Sequence, residues 1–293
     1  MHRRPAGGMD ASSRKAARGE AVGAMLWGVQ LAAVAVAARD VPPLLQATLT
    51  STASLLLLWL WTRWRHIAVF AQDATLTPGM GLGLLFSVRL ALLYLAVPHV
   101  GAAATVEFSA GAVLLQAALR RGPRAWPALL AGVLVLLVLS AVLPLPGLAL
   151  AACAALAWVA QQRLLRDPRL IDCAGEQFVF YQLIGAAVTL PVASVVAGEN
   201  WLVHPGATAW WALAAQVACC VLALALLWIA PRDGVRQGTL PALLPLAAGA
   251  ALLLQSLLEN AAPWACWAGL ALLVPGALWL QLGLRDAGAR AWG

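Results

Sequence analysis

Charge is scarce in this chain. Asp, Glu, Lys and Arg make up 11% of the 293 residues and apolar side chains 62%, where an ordinary soluble domain has about 25% and roughly 45–50%. That gap excludes a soluble globular enzyme. Acids are scarcer than bases, 12 against 19, so the formal charge of +7 reflects missing carboxylates rather than a basic nucleic-acid-binding surface, and nucleic acid is excluded as a partner. Lysine is nearly missing. Lys15 stands alone, and its surroundings do not fit the GxxxxGK[ST] phosphate loop, so ATP is not expected to drive the protein. The cysteines, Cys153, Cys173, Cys219, Cys220 and Cys266, have no CxxC spacing and sit mostly in apolar stretches. A disulfide or zinc framework is therefore not expected, and no metal or other cofactor is implied. Also missing are an intramembrane DxxxD pair, a GxSx nucleophile with a deep His, and HExxH. His66, His99 and His204 fall at loops or interfaces, so no catalytic residue stands out.

What the chain has instead is long apolar runs. A helix needs about 20 mainly apolar residues to cross the hydrocarbon core, and segments of that length recur between Pro, Gly and charge. Ten are expected, at 21–38, 43–62, 78–98, 100–119, 126–143, 147–163, 176–196, 208–230, 240–258 and 263–283. The ten-residue alternation of a membrane β-strand is absent from runs such as Leu129 to Leu139. The expected class is an all-α membrane protein, with the lipid bilayer as its surroundings.

The bases give orientation. With the N-terminus inside, the cytoplasmic segments hold Arg3, Arg4, Arg14, Lys15, Arg18, Arg63, Arg65, Arg120, Arg121, Arg124, Arg163, Arg166, Arg169, Arg232, Arg236, Arg285 and Arg290, seventeen of the 19 bases. Arg39 falls outside, and Arg89 lies within a span. By the positive-inside rule both termini are cytoplasmic, in a multi-pass protein of the cell inner membrane. Residues 1–20 read as a disordered cytoplasmic tail with Met9 as an alternative start, and 284–293 as a C-terminal tail. The first apolar run is too long, and too soon followed by another, for a cleaved signal peptide.

The two halves echo each other. "LWGVQ" carries Trp27 and Gln30, and "AWVAQ" carries Trp158 and Gln161, at an offset of 158 − 27 = 131. Residues 110–132 echo 248–269 at an offset of 248 − 110 = 138. Each half then holds five spans, 21–143 and 147–283. Five is odd, so the halves enter the membrane in opposite directions, the inverted repeat of secondary transporters.

This pattern resembles the drug/metabolite transporter superfamily in its ten-helix, EamA-type form. The likeness rests on Trp27-Gly28, Trp158, the hairpin "LLYLAVPHVGAAATVEFSAGAVL" at 92–114, and the segment 244–279 with Pro245, Glu259, Gly269 and Gly276. "VEF" at 106–108 resembles the threonine and homoserine exporter branch. The resemblance implies a proton- or gradient-driven exporter, or a facilitator, of small polar metabolites such as amino acids.

Ionisable groups inside a bilayer are the first functional suspects. Arg89 lies about nine residues before the Pro98 to Gly101 turn and Glu107 about seven after it, which predicts an ion pair at matching depth. Such a pair either lines the substrate cavity, opened by a zwitterion, or bridges the hairpin structurally. Gln30 and Gln161 are symmetry-related candidates for substrate contact, Trp27 and Trp158 are cavity wall or core, and Tyr181 is a further candidate contact. A proton is a candidate coupling ion, and a second copy of the chain a candidate partner. Two readings from other classes stay open: a membrane enzyme acting on lipid-linked substrates, and a scaffold that transports nothing.

Overall fold

The computed structural model describes residues 11–67, 69, 75–165, 167–170, 173–229, 240–259 and 263–290. The first ten residues, Arg166, Arg232, Arg236 and the side chain of Glu259 lie outside what is described. Nine α-helices and no strand occur among the described residues: α1 (Ala11–Ala37), α2 (Pro43–Trp64), α3 (Leu76–Arg121), α4 (Trp126–Val142), α5 (Leu145–Leu164), α6 (Gly175–Val196), α7 (Ala207–Leu224), α8 (Leu240–Glu259) and α9 (Trp264–Arg290). Seven contain stretches long and apolar enough to cross a membrane, and Trp126–Val142 and Leu243–Leu258 are shorter apolar helices. The protein is therefore an all-helical, multi-pass membrane protein.

The apolar runs become helices between recognisable stops. Proline opens α2, α4 and α5 in their first turns, where its missing N–H costs nothing. Arg63, Arg120, Arg121 and Arg163 close α2, α3 and α5, next to the carbonyl ends of the helix dipoles. The exposed N–H groups that begin α2 are capped from afar: both carboxylate oxygens of Glu199, in the loop after α6, accept from Leu44 N (2.9 Å) and Leu45 N (2.7 Å).

One expectation about the ends is corrected. Residues 11–20 continue α1 as helix instead of forming a disordered tail, because "ASSRKAARGE" is rich in helix formers. The segment 284–290 likewise prolongs α9.

The third and fourth expected spans are not separate helices but the 46 residues of α3. Helical geometry fails inside it at Gly101, with φ of 82°, a conformation open to glycine because it lacks a Cβ. Pro98 stays within the first helical segment. Gln255 Oε1 accepts from Ala103 N at 3.0 Å, satisfying one of the donors left free where the second segment starts. Both segments run back along α5. Gly147 packs on His99 and Val100, Ser109 Oγ donates to Ala151 O, and Arg89 reaches Gln161.

Without water to drive them together, membrane helices associate through small residues that let backbones meet. A Cβ on Gly28 of α1 would lie 2.0 Å from the Ala247 carbonyl oxygen of α8, and one on Gly185 of α6 would lie 2.5 Å from the Gly83 carbonyl carbon of α3. Around these crossings α1 packs on α7 and α8, α2 on α6 and α7, α3 on α5, α6 and α8, α4 on α3 and α9, and α8 on α9.

Candidate functional site

The second half of α1, the first segment of α3 and the second half of α5 converge on one cavity. Trp27 and Gln30, Phe86 and Arg89, and Trp158 line it, with Cys220 and Leu224 of α7, Trp228 just beyond it, and Leu243 and Leu244 of α8. Its volume is about 50 Å³. The Trp27 and Trp158 rings meet edge to face, centroids 5.5 Å apart.

Arg89 is the charge in this cavity. Its guanidinium carbon sits 4.4 Å from the Trp158 ring centroid and 5.2 Å from that of Phe86, an arrangement in which the ring faces attract the cation. Its terminal Nη1 donates to Gln161 Oε1 at 3.1 Å. Arg89 Nε and Gln161 Nε2 are both buried, and neither has a partner among the described residues. Gln30 Nε2 donates to Tyr94 OH at 3.2 Å. Five of the seven expected site residues, Arg89, Gln30, Gln161, Trp27 and Trp158, are thus brought to one place.

The other two are elsewhere. No ion pair joins Arg89 to Glu107. The turn comes at Gly101, so Arg89 stands twelve residues before it and Glu107 six after, about 18 Å and about 9 Å of helix at 1.5 Å per residue. Counting Pro98 as part of the turn had hidden that mismatch. Glu107 is fully buried against α9, where a Cβ on Gly269 would lie 2.5 Å from its Oε2. Neither of its carboxyl oxygens has a hydrogen-bond partner among the described residues. Tyr181 lies in the α3–α6 crossing, with its ring against Gly79 and its hydroxyl 2.8 Å from Thr75 Oγ1. It does not line the cavity.

A second cavity, of about 540 Å³, lies at the Gly101 end of the same helices, lined by Ala35, Ala38, Arg39, Val97, His99, Gly101, Gln255 and Pro263 among others. Between the two cavities is one closed layer. Leu31 and Val34 of α1, Leu93 and Tyr94 of α3, and Ala247, Ala248, Ala251 and Leu252 of α8 are all at most 1% exposed. From Leu90 at the first cavity to Val97 at the second is about 10 Å of helix.

The sequence reading missed Tyr94 and Phe86. Tyr94 is one of only two tyrosines in the chain, and a hydroxyl that must find a partner inside a membrane was the available signal. It also missed Gln46, whose Oε1 accepts from Gln216 Nε2 at 3.0 Å in a polar cluster with Thr50 that joins α2 to α7. Outside the spans, Arg169 hydrogen-bonds Asp167, which holds that carboxyl below its usual range.

No protein-family profile matches the chain, and no curated protein does. Among solved structures, one described only as "Crystal structure of protein" matches 92% of this chain and 99% of its own length, at 20% identity and a TM-score of 0.61. At that identity the likeness speaks for the fold alone.

Proposed function

We propose that this chain is a secondary carrier in the inner (cytoplasmic) membrane, an exporter or facilitator of a small polar metabolite, and not an enzyme. The observation that carries this reading is the pair of cavities stacked on the α1–α3–α8 interface and separated by a single packed layer about 10 Å thick. An alternating-access carrier needs a site closed toward one side while it opens toward the other. An open channel would have no such layer, and a scaffold would need no charged cavity.

In this reading both segments of α3 cross the bilayer, giving ten spans in two inverted five-helix repeats with both termini in the cytoplasm. The packing supports it. Exchanging α1 with α5, α2 with α6, the two segments of α3 with α7 and α8, and α4 with α9 turns most of the major helix contacts into others that exist, the α1–α3 and α3–α9 pairs excepted. The α1–α7 pair becomes the first segment of α3 on α5, α2–α7 becomes α3–α6, and α3–α4 becomes α8–α9. The α2–α6 and α4–α9 pairs, and the Trp27–Trp158 contact, map onto themselves. The resemblance to EamA-type transporters points the same way, toward a cargo driven by a gradient, a proton gradient included.

The test is exchange in liposomes. Purified protein is expected to give saturable uptake of at least one labelled metabolite from a panel of small acids, amines and amino acids, stimulated by the same metabolite on the opposite side. Lipid turnover without flux of any panel member would overturn the reading.

A further inference from the structure

We infer that the cargo is a short-chain organic monoanion, a carboxylate held by Arg89 Nε and Gln161 Nε2, and not a zwitterionic amino acid. This rests on the carrier reading and names the substrate class of the same site.

Four observations converge. First, the Arg89 guanidinium lines the cavity and its Nη1 donates to the neighbouring Gln161 Oε1, while Arg89 Nε and Gln161 Nε2 are buried with no partner among the described residues. Two unpartnered buried donors on hydrogen-bonded residues, one of them charged, call for an acceptor, and a carboxylate has two oxygens with which to make charge-assisted hydrogen bonds. Buried donors without acceptors are otherwise costly.

Second, the signs agree. No carboxylate lines the Arg89 cavity among the described residues. The deep carboxyl, Glu107, is packed against Gly269 on α9. An ammonium group brought in by an amino acid would meet aromatic and aliphatic walls with no counter-charge, whereas a monoanion neutralises Arg89. Desolvating an unpaired charge is expensive enough to decide between the two.

Third, the cavity at the other end has the same bias. Its charged and titratable lining residues are Arg39 and His99, a vestibule that concentrates anions by its field. Fourth, the rest of the Arg89 cavity is apolar, formed by Trp27, Phe86, Trp158, Leu224 and Leu244, and about 50 Å³ in volume. That exceeds the ~10–15 Å³ needed for one water but admits a cargo of only a few heavy atoms in this conformation.

The experiment uses the full chain in liposomes and three probes of one size and different charge: lactate, alanine and lactamide. Exchange is measured against protein-free vesicles, and binding by calorimetry in detergent. Lactate is expected to bind and exchange, with alanine and lactamide weaker by about tenfold or more. Two variants tie this to the site. Arg89→Gln removes the charge. Gln161→Glu supplies Arg89 with a carboxylate of its own, and is expected to abolish lactate binding while the thermal midpoint is kept or raised, so that the loss cannot be unfolding. Alanine exchanging as fast as lactate would overturn the anion inference and leave the carrier reading standing. So would lactate binding untouched in a folded Gln161→Glu protein. Exchange of the panel's amines or amino acids, with none of its small acids bound, would overturn the inference alone.

Discussion

Arg89 and Glu107 are the two deep charges of the sequence, and they sit in opposite kinds of surroundings. Arg89 lines a cavity, stacks on Trp158 and retains an unused donor. Glu107 is sealed in packed helix faces, with its carboxyl against a glycine. The difference teaches that depth in a membrane does not define a site. A buried ion with room beside it can serve a mobile partner, whereas a buried ion without room is part of the packing.

The largest effect that would sharpen this contrast is on transport. Arg89→Ala is expected to lower cargo exchange about tenfold or more, whereas Glu107→Gln keeps it within about threefold. Equal losses in the two variants, measured at equal amounts of folded protein in liposomes, would break the comparison. Next comes packing around Glu107. Gly269→Ala sets a Cβ where Oε2 now lies, and is expected to cost about 1–3 kcal/mol, the usual range for overpacking. Because the clash is with that one carboxyl, the cost should largely vanish in the Glu107→Ala background, read as a double-mutant cycle of thermal or denaturant midpoints.

A third expectation concerns the carboxyl itself. An apolar side chain of similar length, Glu107→Met, removes a buried group whose oxygens have no partner among the described residues, and should stabilise by about 1–3 kcal/mol. A loss of stability would mean that the carboxyl holds the helices together. The smallest effect is at the layer between the cavities. Tyr94→Phe deletes the bond from Gln30 and should cost about 0.6 kcal/mol, typical of hydrogen bonds between membrane helices, while leaving cargo affinity unchanged.

How far the sequence carried this account follows from what each signal measures. Span positions were legible because apolar length, Pro and terminal Arg act locally: the run 43–62 became Pro43–Trp64, and 176–196 became Gly175–Val196. Trp27 and Trp158 could be named from the sequence as cavity wall or core; that their rings meet edge to face could not, because it depends on how α1 packs against α5. The turn inside α3 was placed correctly in outline but not to the residue. Pro98 looks like a helix breaker and is not one here, whereas Gly101 is the residue that leaves helical φ. That shift of three residues misaligned Arg89 and Glu107 and produced the unformed ion pair. Tyr181 was a candidate contact, but it faces the glycine crossing with α3, since which neighbour covers a helix face is a tertiary fact. Glu199 capping α2 from 155 residues away in sequence could not be seen from local pattern at all.

The central claim is that the two cavities open alternately around the layer of Leu31, Val34, Leu93 and Tyr94. It is tested most directly by single cysteines at Ala24 and Ala35, one in each cavity, in a chain whose five native cysteines are replaced. In sealed vesicles their labelling by a membrane-impermeant thiol reagent from either side is followed as a cargo gradient is imposed and then reversed. The account predicts that the two rates move in opposite directions, each by about threefold or more. Rates that rise and fall together would contradict it.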